Sequence, residues 1–226
     1  MKYELSAVFA VPFVYAQVPD CEELNAELRQ LFEAKVGEGD RYRNPTPFTH
    51  RNEALFESNF RLFDWPQPCV QKLRELCLGA VYRTVRELNG YDMDTLKRLH
   101  TATEAWFHVT RKGGYFGPHN HPMHSWSGVY CVSHGGDDPA SDSGKFTLIN
   151  PHAMNTMYID YGIAHMRNPY HMGNRMLRLQ AGDLILFPSW MLHEVLPYEG
   201  DDLRITVAFN VRFMLHGAKP EEVPVG

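Results

Sequence analysis

Two segments of this chain carry side chains that could do chemistry together. The first is Pro118-His119-Asn120-His121-Pro122-Met123-His124. On an extended backbone the side chains at i and i+2 leave on the same face. His119 and His121 can therefore converge on one ion, and imidazole suits Fe, Zn, Cu and Ni. With 12 histidines in the chain, chance clusters are expected and a solvated loop is the alternative, but the spacing alone slightly favours the pair as ligands. The second segment runs from Ala181-Gly182-Asp183 through the apolar stretch 184–187, Pro188 and Ser189 to His193, and Arg204-Ile205-Thr206 follows. Pro188 ends the apolar strand, and His193 lies where the chain turns towards the next one. In that next strand Ile205, Val207, Phe209 and Val211 fall on one face, and Thr206, Ala208 and Asn210 on the other. Arg204 shares the face of Thr206. A guanidinium fork with a hydroxyl beside it suits a carboxylate. Alone, His193 reads as a hydrogen-bonded core histidine, and Arg204 as a surface partner of Asp201 or Asp202. The HxH pair, a distal histidine and a basic residue beyond it are far harder to ascribe to accident together.

The elements that must position these residues differ between the two halves. In residues 1–100, Leu5, Val8, Phe9, Val11, Phe13 and Val14 predict a strand-like entry. Asp20 is placed to cap a helix over 21–36, where Leu24, Leu28, Leu31 and Phe32 recur at helical spacing and Gly37 and Gly39 stop the run. The Pro-, Asn-, Thr- and Arg-rich segment 40–65 reads as loop. A second helix is predicted from about Pro68 to Leu88, with Val70, Leu73, Leu76, Cys77, Ala80, Val81 and Val85 as its apolar stripe and Asn89-Gly90 as its stop. Both helices read as supports for a sheet. Residues 101–213 read as strands at 104–110, 115–119, 127–133, 145–149, 175–179, 183–187 and 203–213. Gly113-Gly114, Gly135-Gly136 and Gly182 punctuate them, a pattern of a β-sandwich or barrel. The Pro- and Glu-rich tail 214–226 reads as loose.

Composition bounds the partners. The length of 226 residues suits one domain, and 44% hydrophobic and 12% aromatic residues suit a packed core. A net charge of −5 gives no reason to expect nucleic acid or an anionic membrane surface, and no apolar run is long enough for a spanning helix. Glu4, Pro12 and Pro19 fit a signal peptide poorly. Cys21, Cys69, Cys77 and Cys131 are scattered without a CxxC pair and read as reduced thiols of a cytoplasmic protein.

The order of these motifs resembles the 2-oxoglutarate/Fe(II) oxygenase superfamily. More narrowly, the chain is similar to bacterial and phage 2OG-Fe(II) oxygenases with PHxHP…SGVYYV and LLLFPSWLxH segments, which here read PHNHPMHSWSGVYCV and LILFPSWMLHEV. The likeness extends weakly to FAVPF and LFESNFRLFDWP in the first half. It implies a mainly β fold with N-terminal helices, a double-stranded β-helix (cupin-like jelly roll). It implies Fe(II) bound by His119 and His193, and 2-oxoglutarate held by Arg204 with Thr206 nearby. The reaction implied uses O2 to oxidise a small-molecule or amino-acid-derived substrate, in the main by hydroxylation, while 2-oxoglutarate is decarboxylated to succinate.

The departure lies at the second ligand position. Most of the superfamily has HxD or HxE there, and this chain has His121. Three readings follow: a site of three histidines, His121 standing aside for water or halide, or a ligand from His124, Asp137, Asp138 or Asp160. The i, i+2 geometry favours three histidines. Tyr115 and Trp126, and less so Trp106, Tyr130 and Ser127, are candidates for the co-substrate pocket, although aromatics in strands more often simply pack. The irregular stretch 150–175, with His165, Arg167 and His171, is a candidate lid. The alternative function is a metal-dependent cupin-type dioxygenase that does not use 2-oxoglutarate. A non-catalytic β-sandwich is the third. Oligomeric state stays open, with a homodimer through the N-terminal elements as one arrangement.

Overall fold

The strand that sequence alternation marks most clearly is, with its neighbour, one of the two 12-residue strands among the described residues, and it sits next to the centre of the larger sheet. The computed structural model of the chain describes residues 1–152 and 158–217. In it β10 (Arg204–Leu215) pairs antiparallel with β3 (Leu99–Thr110) on one side and β5 (Trp126–Ser133) on the other. On the far side of β5 lie β8 (Asp183–Pro188) and β1 (Val14–Gln17), and β2 (Leu55–Glu57) closes the other edge, giving the order β1-β8-β5-β10-β3-β2. A four-stranded sheet of β4 (Phe116–His119), β9 (His193–Val195), β6 (Phe146–Leu148) and β7 (Arg175–Leu177) has the order β4-β9-β6-β7. All pairings between the named strands are antiparallel, and the chain is a mainly β jelly roll with helices in its N-terminal part.

Three layers result. Leu24, Leu28 and Phe32 of α1 (Glu22–Gly37) and Val70, Leu73, Cys77 and Val81 of α2 (Pro68–Asn89) pack on the outer face of the larger sheet against Phe107, Tyr130, Leu186, Val207 and Phe209. The inner face carries Trp106, Val129, Cys131, Ile185, Phe187 and Ala208, which meet Phe146 and Leu148 of the smaller sheet. β10 serves both cores because its side chains alternate faces: Ile205, Val207, Phe209 and Val211 turn to the helices, as the sequence pattern predicts. Gly128 is required by this packing, since a Cβ there would lie 2.3 Å from Phe209 Cζ and 2.8 Å from Leu186 Cδ2. α2 stops where Asn89-Gly90 predicts, with Gly90 in the left-handed region at φ 65°.

Several expectations are corrected. The entry strand begins only at Val14, and residues 1–10 are exposed. Asp20 does not cap α1. It has a φ of 49°, and Cys21 takes the N-cap position without a side-chain bond. The segment 40–65 is not all loop: β2 lies within it, with all three of its residues buried. A short helix, α3 (Met93–Arg98), precedes β3, and the Asp92 carboxylate accepts the Thr95 N–H at 2.8 Å. His193 opens a strand instead of preceding one. The tail from residue 218 and positions 153–157 of the long loop lie outside the described residues.

Candidate metal centre and cavity

β4 and β9 lie side by side, and their pairing sets His119 directly opposite His193. His121 follows two residues later, and its backbone N–H donates to Ser189 O at 2.9 Å, which ties the segment to the turn leading into β9. The three rings converge, with centroids 4.1 Å apart for His119–His193, 4.9 Å for His119–His121 and 5.1 Å for His121–His193. One ligating atom from each lies within 4.8 Å of the others. Among the described residues this is the sole such grouping of His, Cys, Asp or Glu.

The protonation of the trio suits ligation. His119 Nδ1 lies 2.8 Å from Gly117 O, and His193 Nδ1 lies 2.9 Å from Met191 O. A carbonyl only accepts, so each Nδ1 carries the proton and each Nε2 keeps its lone pair. Burial pushes His119 down to about 4 and His121 to about 3, the latter helped by the charge that a protonated His119 would bring. His193 falls well below its ordinary value, first through burial. All three are neutral imidazoles near pH 7.

The cavity beside them runs between the sheets. From β10 it takes Arg204, Thr206, Ala208 and Asn210, from β3 Trp106 and His108, and from the second sheet Phe146 and Val195. Arg204 is only 2% exposed. The acids suggested as its surface partners are engaged elsewhere: Asp202 binds Arg29 and Asp201 binds Lys112. Among the described residues no acid forms an ion pair with Arg204, and its buried Nε has no hydrogen-bond partner. Burial lowers its pKa from the ordinary value, but an arginine stays charged near neutrality. The cavity thus contains a buried cation without an anion.

The other candidates fall into two groups. Thr206 lies on the cavity wall, as do Trp106 and Ser127. Trp126 does not: it belongs to the core under the helices, because it has the opposite strand parity to Ser127. Tyr130 points the same way, and its hydroxyl donates to Asn25 Oδ1 at 2.8 Å. Tyr115 is half-buried, with its hydroxyl 3.0 Å from His50 Nδ1, away from the cavity lining. Asp137 pairs with Arg178, Asp138 and Asp160 accept backbone N–H groups in turns, and His124 lies 3.7 Å from Glu104; none joins the three histidines. His165, Arg167 and His171 are exposed and do not line the cavity.

Sequence reading missed His108 and Glu57. Trp106 Nε1 donates to His108 Nε2 at 3.1 Å, and the same nitrogen lies 3.5 Å from Glu57 Oε1. Burial lowers the His108 pKa against the pull of Glu57. Burial alone would raise Glu57, but His108, Asn44 and Arg51 together hold it below the usual carboxylate value. The strand parity of Trp106 would have placed His108 on the same wall.

Residues 104–210 match the family model described as "Putative 2OG-Fe(II) oxygenase". No curated protein matches the chain. Among solved structures, a prolyl-4-hydroxylase from Pseudomonas putida aligns with a TM-score of 0.58 at 15% identity, over 89% of this chain and 92% of that one. A prolyl hydroxylase from Trichoplax adhaerens, in complex with a hypoxia inducible factor peptide fragment, aligns with a TM-score of 0.60 at 12% identity, over 88% and 83%. HygX from Streptomyces hygroscopicus, with nickel and 2-oxoglutarate bound, aligns with a TM-score of 0.56 at 12% identity, over 90% and 83%. At these identities the likeness concerns the fold.

Proposed function

We propose, for a chain whose residues 104–210 match a 2OG-Fe(II) oxygenase family model, that it is a 2-oxoglutarate- and Fe(II)-dependent oxygenase that oxidises a small-molecule or amino-acid-derived substrate, in the main by hydroxylation, and converts 2-oxoglutarate to succinate. The observation that carries this reading is the buried guanidinium of Arg204, without an acidic partner, in the same cavity as three converging neutral histidines.

The residues fit the two groups the family uses. His119, His121 and His193 would hold Fe(II), and the carbonyl-bonded Nδ1 atoms of His119 and His193 leave Nε2 for the metal. Arg204 would hold the distal carboxylate of 2-oxoglutarate, with the Thr206 hydroxyl as a second donor. Bound together, Fe(II) and 2-oxoglutarate supply the activation of O2, with succinate and CO2 as co-products. The protein's part is to orient and to exclude water. Phe146 and Phe187 flank His193 at 5.4 and 4.8 Å between ring centroids, and Trp106 packs on His121 at 5.5 Å. Three neutral ligands leave the full charge of the ion uncompensated, and an anionic co-substrate is the natural complement.

The absence of a carboxylate from the trio also favours a second reading, a cupin-type dioxygenase that does not use 2-oxoglutarate. Such an enzyme has no use for Arg204. Succinate formation by the purified protein, followed by NMR with Fe(II), O2 and 2-oxoglutarate each omitted in turn, separates the two. Dependence on all three supports the proposal. Oxidation of a substrate with no need for 2-oxoglutarate supports the alternative.

A further inference from the structure

One cavity residue is held in a way that its position alone does not require. Asn210 is 2% exposed and lines the cavity. Its register partner on β5 is Ser127, whose Oγ lies 2.8 Å from Asn210 Oδ1 and 2.8 Å from Ser189 Oγ. Ser189 is fully buried, and among the described residues its hydroxyl has no other partner. A buried O–H left without an acceptor is costly, so Ser189 donates to Ser127 and Ser127 donates to Asn210 Oδ1. This order fixes the amide. Its oxygen is consumed by the chain, and its NH2 group, which has no partner among the described residues, is the end left for the cavity.

Its height along β10 says what it meets. The cavity-facing positions are Arg204, Thr206, Ala208 and Asn210, and a strand rises about 3.3 Å per residue. Ala208 pairs with Trp106, whose ring packs on His121, so the histidines stand roughly level with Ala208. Arg204 lies about 13 Å to one side of that level and Asn210 about 7 Å to the other. If Arg204 takes the co-substrate, Asn210 faces the substrate. Across the strands Asn210 is paired with Glu104, an exposed residue on the same face. A donor NH2 suits a group with an acceptor oxygen, and the charge of Glu104 on the neighbouring strand, whose carboxylate lies 3.7 Å from His124 Nε2 outside the cavity lining, disfavours an anion next to it.

We propose that Asn210 is a substrate-binding residue, oriented by Ser127 and Ser189 as positioning residues, and that it donates to the carbonyl of a neutral amide next to the oxidised carbon. This rests on the function proposed above. The test measures 2-oxoglutarate turnover stimulated by a set of N-acetyl amino-acid methylamides, the matching free acids, and analogues with CH2 in place of the carbonyl. The expected result is that an amide stimulates best, and that Asn210→Ala raises its KM about tenfold but leaves the KM of the CH2 analogue unchanged. Ser127→Ala is expected to give a smaller rise. A merely structural role would raise both KM values alike and would overturn the proposal. So would better stimulation by the acids, or none by any amide while the parent still turns over 2-oxoglutarate unaided. Failure of the parent to form succinate at all would instead be failure of the underlying oxygenase reading.

Discussion

His119 and His193 are cross-strand partners of β4 and β9, with ring centroids 4.1 Å apart. Residues 74 positions apart in sequence are thus brought face to face by backbone pairing before any ion is bound. Each ring is also fixed by its own Nδ1 contact to a carbonyl two residues earlier. The site is therefore preorganised on strands, which confine a side chain more tightly than loops do.

Replacing His193 by Ala should lower Fe(II) affinity by at least about 100-fold, since even outer-sphere partners of metal ligands contribute 10–100-fold. Asp160→Asn should leave affinity unchanged, because Asp160 closes a surface turn. Metal analysis after dialysis against graded Fe(II) checks both. Retention of iron by His193→Ala would move the centre elsewhere.

Replacing Arg204 by Met should separate stability from binding. The buried guanidinium has no acidic partner, so removing it relieves an uncompensated buried charge. The variant should melt at or above the parent temperature while its affinity for 2-oxoglutarate falls at least about 100-fold. Calorimetry and ligand titration read the two. A large loss of stability with unchanged affinity would make Arg204 structural.

Metal-free protein should lose stability on acidification across a defined window. In the folded chain His119 sits at about 4 and His121 at about 3, both lowered first by burial, whereas an unfolded histidine titrates near 6.5. Between these values the unfolded chain binds more protons, so stability is fully present above about 6.5 and falls as pH drops towards 4. Melting curves from pH 7.5 to 4.5 should show this fall, and His121→Asn should reduce its slope. A flat profile between pH 7 and 5 would contradict the assignment of neutral buried imidazoles.

Gly128→Ala should destabilise the protein by about 1–3 kcal/mol. The new methyl would collide with Phe209 and Leu186, both in the core under the helices. Denaturant unfolding measures the loss.

The sequence made some of this legible and not the rest, for physical reasons. β10 alternates cleanly because one of its faces meets helices and the other a cavity, so its polar positions Arg204, Thr206 and Asn210 mark the functional wall. β5 is buried on both faces, so apolar and small residues alternate without a solvent face to mark which side is which, and only the tertiary contacts of Ser127 with Asn210 and Ser189 show that Trp126 points the other way. β2 is three residues long, and its Glu57 is stabilised by Arg51, Asn44 and His108, partners that only the tertiary fold assembles. The cap of α3 was readable in Asp92 and Thr95, but a helix of six residues leaves little periodicity to find.

The most direct test of the central claim is anaerobic. Fe(II) and then 2-oxoglutarate are added to the metal-free protein, and the visible spectrum is followed for the weak charge-transfer absorption of the chelate. The absorption is expected to develop in the parent at low 2-oxoglutarate and to require far higher concentrations in Arg204→Met. Iron that binds while 2-oxoglutarate at any concentration leaves the spectrum unchanged would contradict the claim.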